Sequence, residues 1–252
     1  MSANHPKTSL AQAMSERLSV DGVTYKIASC REEREDAFRL IHDAYVKSGL
    51  MTPNKTRMRV TPFHLLPTTD LFIAYHNGNV IYTMTLISDD QMGIPLEAVY
   101  GSEVDQRRRA SGAYFAEVSC LASRTGYFNR NRMFNVFVQL AALMVQSARE
   151  NGVQRLLVAC NPRHARFYQS YLGFSQIGDQ KVYGQVCNKP AVALEHDFEK
   201  LDQQSYPLRD RIYAAPLRHW ELYHQPMLRE EAFYFSEVAG LCAEHFPLEA
   251  VS

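Results

Sequence analysis

The sequence has no net charge, no long hydrophobic run and no closely spaced pair of cysteines. Lysine plus arginine (27) balance aspartate plus glutamate (27), so no overall field attracts nucleic acid or an anionic membrane. No stretch approaches the ~20 apolar residues of a membrane span, and the N-terminus shows no secretory cleavage pattern. We therefore expect no nucleic-acid partner and no integral membrane segment, and any acidic partner must bind a local basic patch.

The cysteines indicate a reducing compartment. There are five of them, Cys30, Cys120, Cys160, Cys187 and Cys242, and the number is odd with no CxxC pair. Three lie in apolar, strand-like segments, which is typical of reduced thiols in a protein core. We therefore expect a cytoplasmic protein, and we predict no metal site.

The length and composition predict one catalytic domain with an appendage. The chain has 252 residues, of which 46% are hydrophobic, enough for one full α/β core plus a modest extension. Residues 1–21 are polar and without a sustained period, and we predict a flexible tail there. Residues 22–197 are predicted to form the folded domain, and residues 198–252 an aromatic-rich, helical C-terminal extension.

Strands and helices of the folded domain are predicted from periodicity and from turn and cap residues. Strands are expected at Val23–Ser29, on both sides of a turn at Asn77 and Gly78, at Tyr114–Ala122, at Arg155–Cys160, near Val182–Val186 and near Ala191–Leu194. Helices are expected from a capping box of Ser29 and Glu32 to Gly49, at Leu96–Arg109, at Arg132–Glu150, from Pro162 to Gly173, and at Glu230–His245. Residues 50–69 are predicted to be an irregular loop. This order is mixed α/β.

Glu117 is the candidate general base. Strand alternation places its side chain on the face of Ser119 and places Cys120 on the opposite face. A partly desolvated glutamate can bind a substrate ammonium and remove its proton, which an amine must lose before it attacks a thioester. The alternative is a structural glutamate paired with an arginine across the sheet. A covalent route through Cys120 is disfavoured because no histidine is beside it in sequence.

Two short segments carry a resemblance to a known superfamily. The segment LLVACNPRHARFYQSYLGF resembles the second motif of the GNAT acyltransferases. The segment FAEVSCLAS is similar to the Glu-x-Ser strand of acyl homoserine lactone synthases, and NPRHARFY resembles the long-chain N-acyl amino acid synthases. The resemblance implies a GNAT-like fold in which two central strands splay apart and hold the pantetheine arm of the acyl donor. It covers roughly residues 23–197.

The sequence departs from two branches of that superfamily. Ile41 stands where the lactone synthases have an arginine, and Leu50 and Met51 stand where they have a tryptophan, which argues against homoserine lactone production. The loop SRTGYFNRNRM has the single glycine Gly126, whereas acetyl-CoA enzymes have a glycine-rich loop that wraps the CoA pyrophosphate. A phosphopantetheine thioester on acyl carrier protein therefore fits better than acyl-CoA, with no permanently bound cofactor.

Arginines at two helix starts support an anionic partner. Arg130 and Arg132 begin one predicted helix and Arg163 lies at the start of another, where the helix dipole disfavours cations. Their clustering predicts a patch for the acidic carrier protein. The alternative is that these arginines are simply solvated.

The resemblance also implies roles for individual residues. Glu117 and Tyr168 are the predicted catalytic residues, Tyr168 as an acid near the departing sulfur, although it could equally be a packed core tyrosine. The predicted donor- and substrate-binding residues are Ser119, Arg124, Arg130, Arg132, Asn161, Arg163, His164 and Phe167. We expect a long-chain N-acyltransferase acting on an amino acid. The alternatives are a short-chain acyl-CoA N-acetyltransferase and a non-catalytic domain that binds acyl chains or carrier protein.

Overall fold

Eight strands form one mixed sheet in the computed structural model, which describes residues 18–214 and 217–241. The strands are β1 (Leu18–Val20), β2 (Val23–Ile27), β3 (Thr69–His76), β4 (Asn79–Ser88), β5 (Phe115–Ser123), β6 (Arg155–Cys160), β7 (Ser175–Tyr183) and β8 (Lys189–Asp197). Their order across the sheet is β1-β2-β3-β4-β5-β6-β8-β7. Neighbours pair antiparallel except β5 and β6, which are parallel. The predicted mixed α/β class is confirmed.

Seven α-helices connect or follow these strands in the described ranges. They are α1 (Arg31–Lys47), α2 (Glu97–Ser111), α3 (Arg130–Glu150), α4 (Pro162–Leu172), α5 (Phe198–Asp202), α6 (Arg209–Tyr213) and α7 (Arg229–Ala239). The loop before β3 contains one short 3₁₀ helix, Pro62–Leu65. Among the helices of the described part, none is both long enough and apolar enough to cross a lipid bilayer.

The structure corrects several predicted boundaries. Asn129 caps α3 by accepting from the Arg132 N–H, so this helix begins two residues before the prediction. Helix α1 has no capping box of Ser29 and Glu32, because the Ser29 N–H donates to Glu33 instead, at 3.0 Å. The last helix ends before Gly240, whose positive φ of 65° is the conformation that favours glycine, and residues 242–245 of its predicted span lie outside the described ranges.

Two strands differ from the prediction. Leu18–Val20, placed in the N-terminal tail by the sequence, pairs with β2 as strand β1. The predicted strand near residues 182–186 begins earlier, at Ser175, and ends at Tyr183. Its exposed, polar sequence does not alternate, so hydrophobic periodicity could not mark its start.

The central strands β5 and β6 separate along their length. They pair only at Phe115 with Arg155, Ala116 with Leu156 and Glu117 with Leu157, although both strands continue beyond these pairs. Beyond Glu117 the sheet is therefore split, as the resemblance predicted.

Helices cover both faces of this split sheet. Helix α1 packs on one face, where Phe38 and Ile41 form a core with Leu71 and Ile73 of β3. Helix α3 packs on the other face, where Leu140 belongs to a core of strand residues from β2 to β6. The split between β5 and β6 therefore has α1 on one face of the sheet and α3 on the other.

The C-terminal helix α7 is attached to α1. The Arg34 guanidinium donates to the Glu231 carboxylate at 2.8 Å, and its other nitrogen donates to the Gln225 carbonyl at 2.9 Å. Phe235 is fully buried against Phe38, with ring centroids 5.0 Å apart. This end of the chain thus supports the helix whose C-terminal residues line the central cavity.

Candidate active site

A cavity of about 570 Å³ occupies the gap between β5 and β6. On the α1 face its walls come from the end of α1, the loop before β3 and the hairpin of β7 and β8; on the α3 face they come from α3 and α4. The sheet is open at this point, so a single molecule can contact residues of both faces. This shape suits a donor arriving from one side and an acceptor from the other.

Glu117 lies at the point where the two strands separate. Its side chain is only 2% exposed, and its carboxylate accepts a hydrogen bond from the Leu96 N–H at 2.6 Å, just before α2 begins. Burial raises the pKa of Glu117 to about 8, the charges of Cys120 and Glu97 act in the same direction, and the Leu96 hydrogen bond opposes them. The carboxyl group can therefore gain and lose a proton near neutral pH.

Glu117 lacks, among the described residues, the arginine partner that a purely structural role would require. Within the described ranges no arginine or lysine forms an ion pair with Glu117, and no cation contributes to the shift of its pKa. A buried carboxyl group without a cation is costly when ionised, because desolvation disfavours its charged form. Such a group is typical of functional sites.

Cys120 lies on the same face of the sheet as Glu117, and the prediction of opposite faces was wrong. Thr83 pairs with Ala122 while Thr85 pairs with Ser119, so β5 has one extra residue, a β-bulge. Cys120 adopts a φ of +50° at this bulge and packs in the hydrophobic core between α1 and the sheet. No histidine of the described part hydrogen-bonds to Cys120, so no described histidine is in place as the base for a cysteine nucleophile.

The sequence missed three cavity residues on the α1 face. Tyr45 lines the cavity, and the Arg59 guanidinium lies over the Tyr45 ring, 4.7 Å from its centroid. Tyr183 donates its hydroxyl to the Pro95 carbonyl at 3.1 Å. The one available signal was an arginine between the apolar residues Met58 and Val60.

Aromatic rings form the cavity wall on the α3 face. Phe167 packs edge-on to Phe134 and Phe137, with centroids 6.3 and 5.6 Å away, and to Tyr168 at 5.9 Å. Burial raises the pKa of Tyr168 well above its usual value, so its hydroxyl stays protonated. The predicted residues Phe167 and Tyr168 both line the cavity.

A smaller apolar cavity adjoins this wall. It has a volume of about 30 Å³ and shares Val118, Leu121, Phe137 and Tyr168 with the main cavity. From there it extends beneath α3 towards Met144. The two cavities are therefore adjacent, and the smaller one lies in the apolar core on the α3 face.

The remaining predicted site residues divide into two groups. Ser119, Asn161 and His164 line the cavity, and Asn161 also caps α4 by accepting from the Arg163 N–H at 3.1 Å. The predicted arginines lie outside the lining. Arg124, Arg130 and Arg163 are exposed, while Arg132 is half-buried with its guanidinium 3.6 Å from the Phe128 ring centroid and donating to the Asp21 carbonyl at 3.0 Å.

The two predicted groups thus occupy different places. Helices α3 and α4 follow the parallel strands β5 and β6, so their N-termini lie at the same edge of the sheet. The arginines at these helix N-termini therefore lie near that edge of the sheet, outside the lining of the cavity.

Comparisons with known proteins agree with this geometry. The family described as N-acyl amino acid synthase FeeM matches residues 36–197. The structure of FeeM from uncultured soil microbes is 26% identical, with a TM-score of 0.60 over 73% of this chain and 94% of that chain. Comparison with curated protein sequences gives no match.

More distant structures share the fold. The AHL synthase LasI is 13% identical, with a TM-score of 0.56 over 78% of this chain and 96% of that chain. The CoA-dependent acyl-homoserine lactone synthase MesI is 15% identical, with a TM-score of 0.52 over 77% and 97% of the two chains. The family match spans more than half of the sequence and includes β5, β6 and α4. The chain belongs to the FeeM family of N-acyl amino acid synthases, and it is an acyltransferase of GNAT-like fold.

Proposed function

We propose that this protein transfers a long-chain acyl group from acyl carrier protein to the α-amino group of an amino acid, with Glu117 as the general base. The observation that carries this proposal is a buried carboxyl group with a pKa of about 8 beside a cavity that opens to both faces of the sheet. The aromatic wall on the α3 face suits an acyl chain, because each buried methylene contributes ~0.8 kcal/mol.

The proton transfer to Glu117 is energetically well matched. A free amino acid carries an ammonium with a pKa of ~8 to 9, close to the pKa of about 8 of the buried carboxyl group. An ordinary exposed glutamate, with a pKa of ~4.3, would be a weaker base by a factor of ~10⁴. Near pH 7 about one molecule in ten has this carboxylate ionised before substrate binds, and an approaching ammonium increases that fraction.

The reaction balances with these groups alone. The ammonium passes one proton to the Glu117 carboxylate, and the amine nitrogen attacks the thioester carbon. The carbon–sulfur bond then breaks, and sulfur leaves with the electron pair as pantetheine thiolate. The new amide nitrogen then loses its one excess proton, and the thiolate takes up a proton to become the free thiol. The protonated Tyr168 hydroxyl is the proposed relay for this transfer.

The proposed donor is a phosphopantetheine thioester carried by a protein. Exposed Arg124, Arg130 and Arg163 lie near the two helix N-termini, a suitable surface for an acidic carrier protein. MesI, which shares the fold, is a CoA-dependent enzyme, so acyl-CoA is the competing donor. A cytoplasmic setting is proposed because the four described cysteines are free.

The pH dependence of the reaction tests the role of Glu117. Glu117→Gln preserves the shape of the side chain and removes the base, so kcat/KM should fall by ~10²-fold or more. The wild-type rate should rise with pH up to about 8, the pKa of the buried group. Exposed Glu230 of α7 provides the matched control, and Glu230→Gln should leave both values unchanged. Near-normal activity of Glu117→Gln at neutral pH would remove Glu117 from the mechanism.

A further inference from the structure

Arg59 is a cation without an acidic partner at the wall of the cavity. Its Nε atom is fully buried and makes no hydrogen bond, and no described carboxylate forms an ion pair with its guanidinium. Arg34 of α1, which is buried, is by contrast paired with Glu231 and with a backbone carbonyl. Arg59 as a whole is half-buried and lines the cavity, so its partly desolvated cation is stabilised when an anion occupies the adjoining space.

The position of Arg59 decides which substrate brings that anion. The backbone N–H of Arg59 donates to the Phe38 carbonyl of α1 at 3.1 Å, and the neighbouring Met58 packs in the hydrophobic core between α1 and the sheet. Arg59 therefore lies on the α1 face. The aromatic wall and the helix N-termini that suit the donor lie on the α3 face. An anion beside Arg59 belongs to the acceptor and not to the pantetheine phosphate.

The same pocket holds Arg59 and Glu117 close to common neighbours without pairing them. Arg59 and Glu117 both line the cavity, together with Tyr45 and Tyr183, and no ion pair joins Arg59 to Glu117 within the described residues. The two groups thus face a shared space that one small zwitterion can span, with its ammonium at Glu117 and its carboxylate at the guanidinium.

We infer that Arg59, held over the ring of Tyr45, binds the α-carboxylate of the acceptor and restricts the enzyme to amines that carry a free carboxylate. This inference rests on the proposed function and adds the residue that would select the acceptor class. A planar guanidinium presents parallel donors that match a carboxylate, whereas a neutral amide or an amine without a carboxylate leaves the cation unpaired.

The test compares acids with their amides in one reaction. Wild type, Arg59→Met and Arg59→Lys are supplied with acyl carrier protein bearing a ~14-carbon chain. The acceptors are the proteinogenic amino acids and their α-carboxamides, at equal concentrations. Mass spectrometry quantifies both product classes. Wild type should favour the acids by at least ~10²-fold, and Arg59→Met should abolish that preference by losing acid turnover while keeping amide turnover. Arg59→Lys should retain part of it.

The ratio of acid products to amide products separates a change of specificity from a loss of folded enzyme. Partial misfolding lowers both products alike, so the ratio reports specificity only. Arg57, which is exposed on the same loop as Arg59 and paired with Asp43 of α1, provides the matched control, and Arg57→Met should behave as wild type. Exposed Lys189 also lines the cavity. Loss of the preference in Lys189→Met but not in Arg59→Met would overturn the assignment, as would equal use of acids and amides by wild type. Absence of both products would instead refute the proposed function.

Discussion

Replacing Glu117 by glutamine is expected to stabilise the fold by an amount that grows with pH. Because burial raises the pKa of Glu117 to about 8, the folded state holds a proton that the unfolded state releases above its own, ordinary pKa. The unfolded state thus binds fewer protons between these two pKa values, and wild-type stability falls as pH rises through that window. Glutamine does not titrate, so the variant escapes this loss.

The expected size of the effect follows from the shift. Each pKa unit corresponds to ~1.4 kcal/mol, so the difference in the free energy of unfolding should grow by ~3 kcal/mol between about pH 5.5 and pH 8.5 and level off above that. Urea denaturation of wild type and Glu117→Gln at several pH values measures it, with Glu230→Gln as a control for the loss of one exposed carboxyl group. A difference that stays constant across this range would show that Glu117 has an ordinary pKa.

Three other changes test separate parts of the account. If exposed arginines bind the carrier protein, Arg130→Glu or Arg163→Glu should raise KM for acyl carrier protein and weaken its dependence on salt, while an unchanged salt response counts against that surface. Tyr168→Phe should lower kcat by no more than ~10-fold, because a thiolate leaves readily without an acid; a loss above ~10³-fold would give Tyr168 a larger role. Glu231→Gln should cost ~3 kcal/mol of unfolding free energy by leaving the buried Arg34 cation without a carboxylate, and a cost near zero in chemical denaturation would separate α7 from the folded unit.

Much of the fold could be predicted because its signals are local. Asn77 and Gly78 both adopt positive φ, which the Asn-Gly pair favours in a tight hairpin, and they connect β3 to β4 as predicted. Asn161 and Pro162 begin α4, and Gly173 ends it with a φ of 71°. These residues determine the backbone by their own conformational preferences, so no knowledge of distant contacts was needed.

Parts of the site could not be predicted because they depend on contacts between distant segments. The bulge at Cys120 exists only in the pairing of β4 with β5, and it moves Cys120 to the face of Glu117. Strand alternation assumes an unbroken register, so it placed the cysteine on the wrong face. The position of Arg59 depends on how an irregular loop packs against α1, and no periodicity describes such a loop.

The choice of acyl donor tests the central claim most directly. Acyl carrier protein bearing a chain of ~12 to 16 carbons and acetyl-CoA are supplied separately at equal concentration with the same mixture of amino acids, and the N-acylated products are quantified by mass spectrometry. The aromatic wall on the α3 face and the single glycine in the loop after β5 favour the long-chain, carrier-bound donor. We expect that donor to react much faster. Faster transfer from acetyl-CoA would contradict the account and make the protein a short-chain N-acetyltransferase.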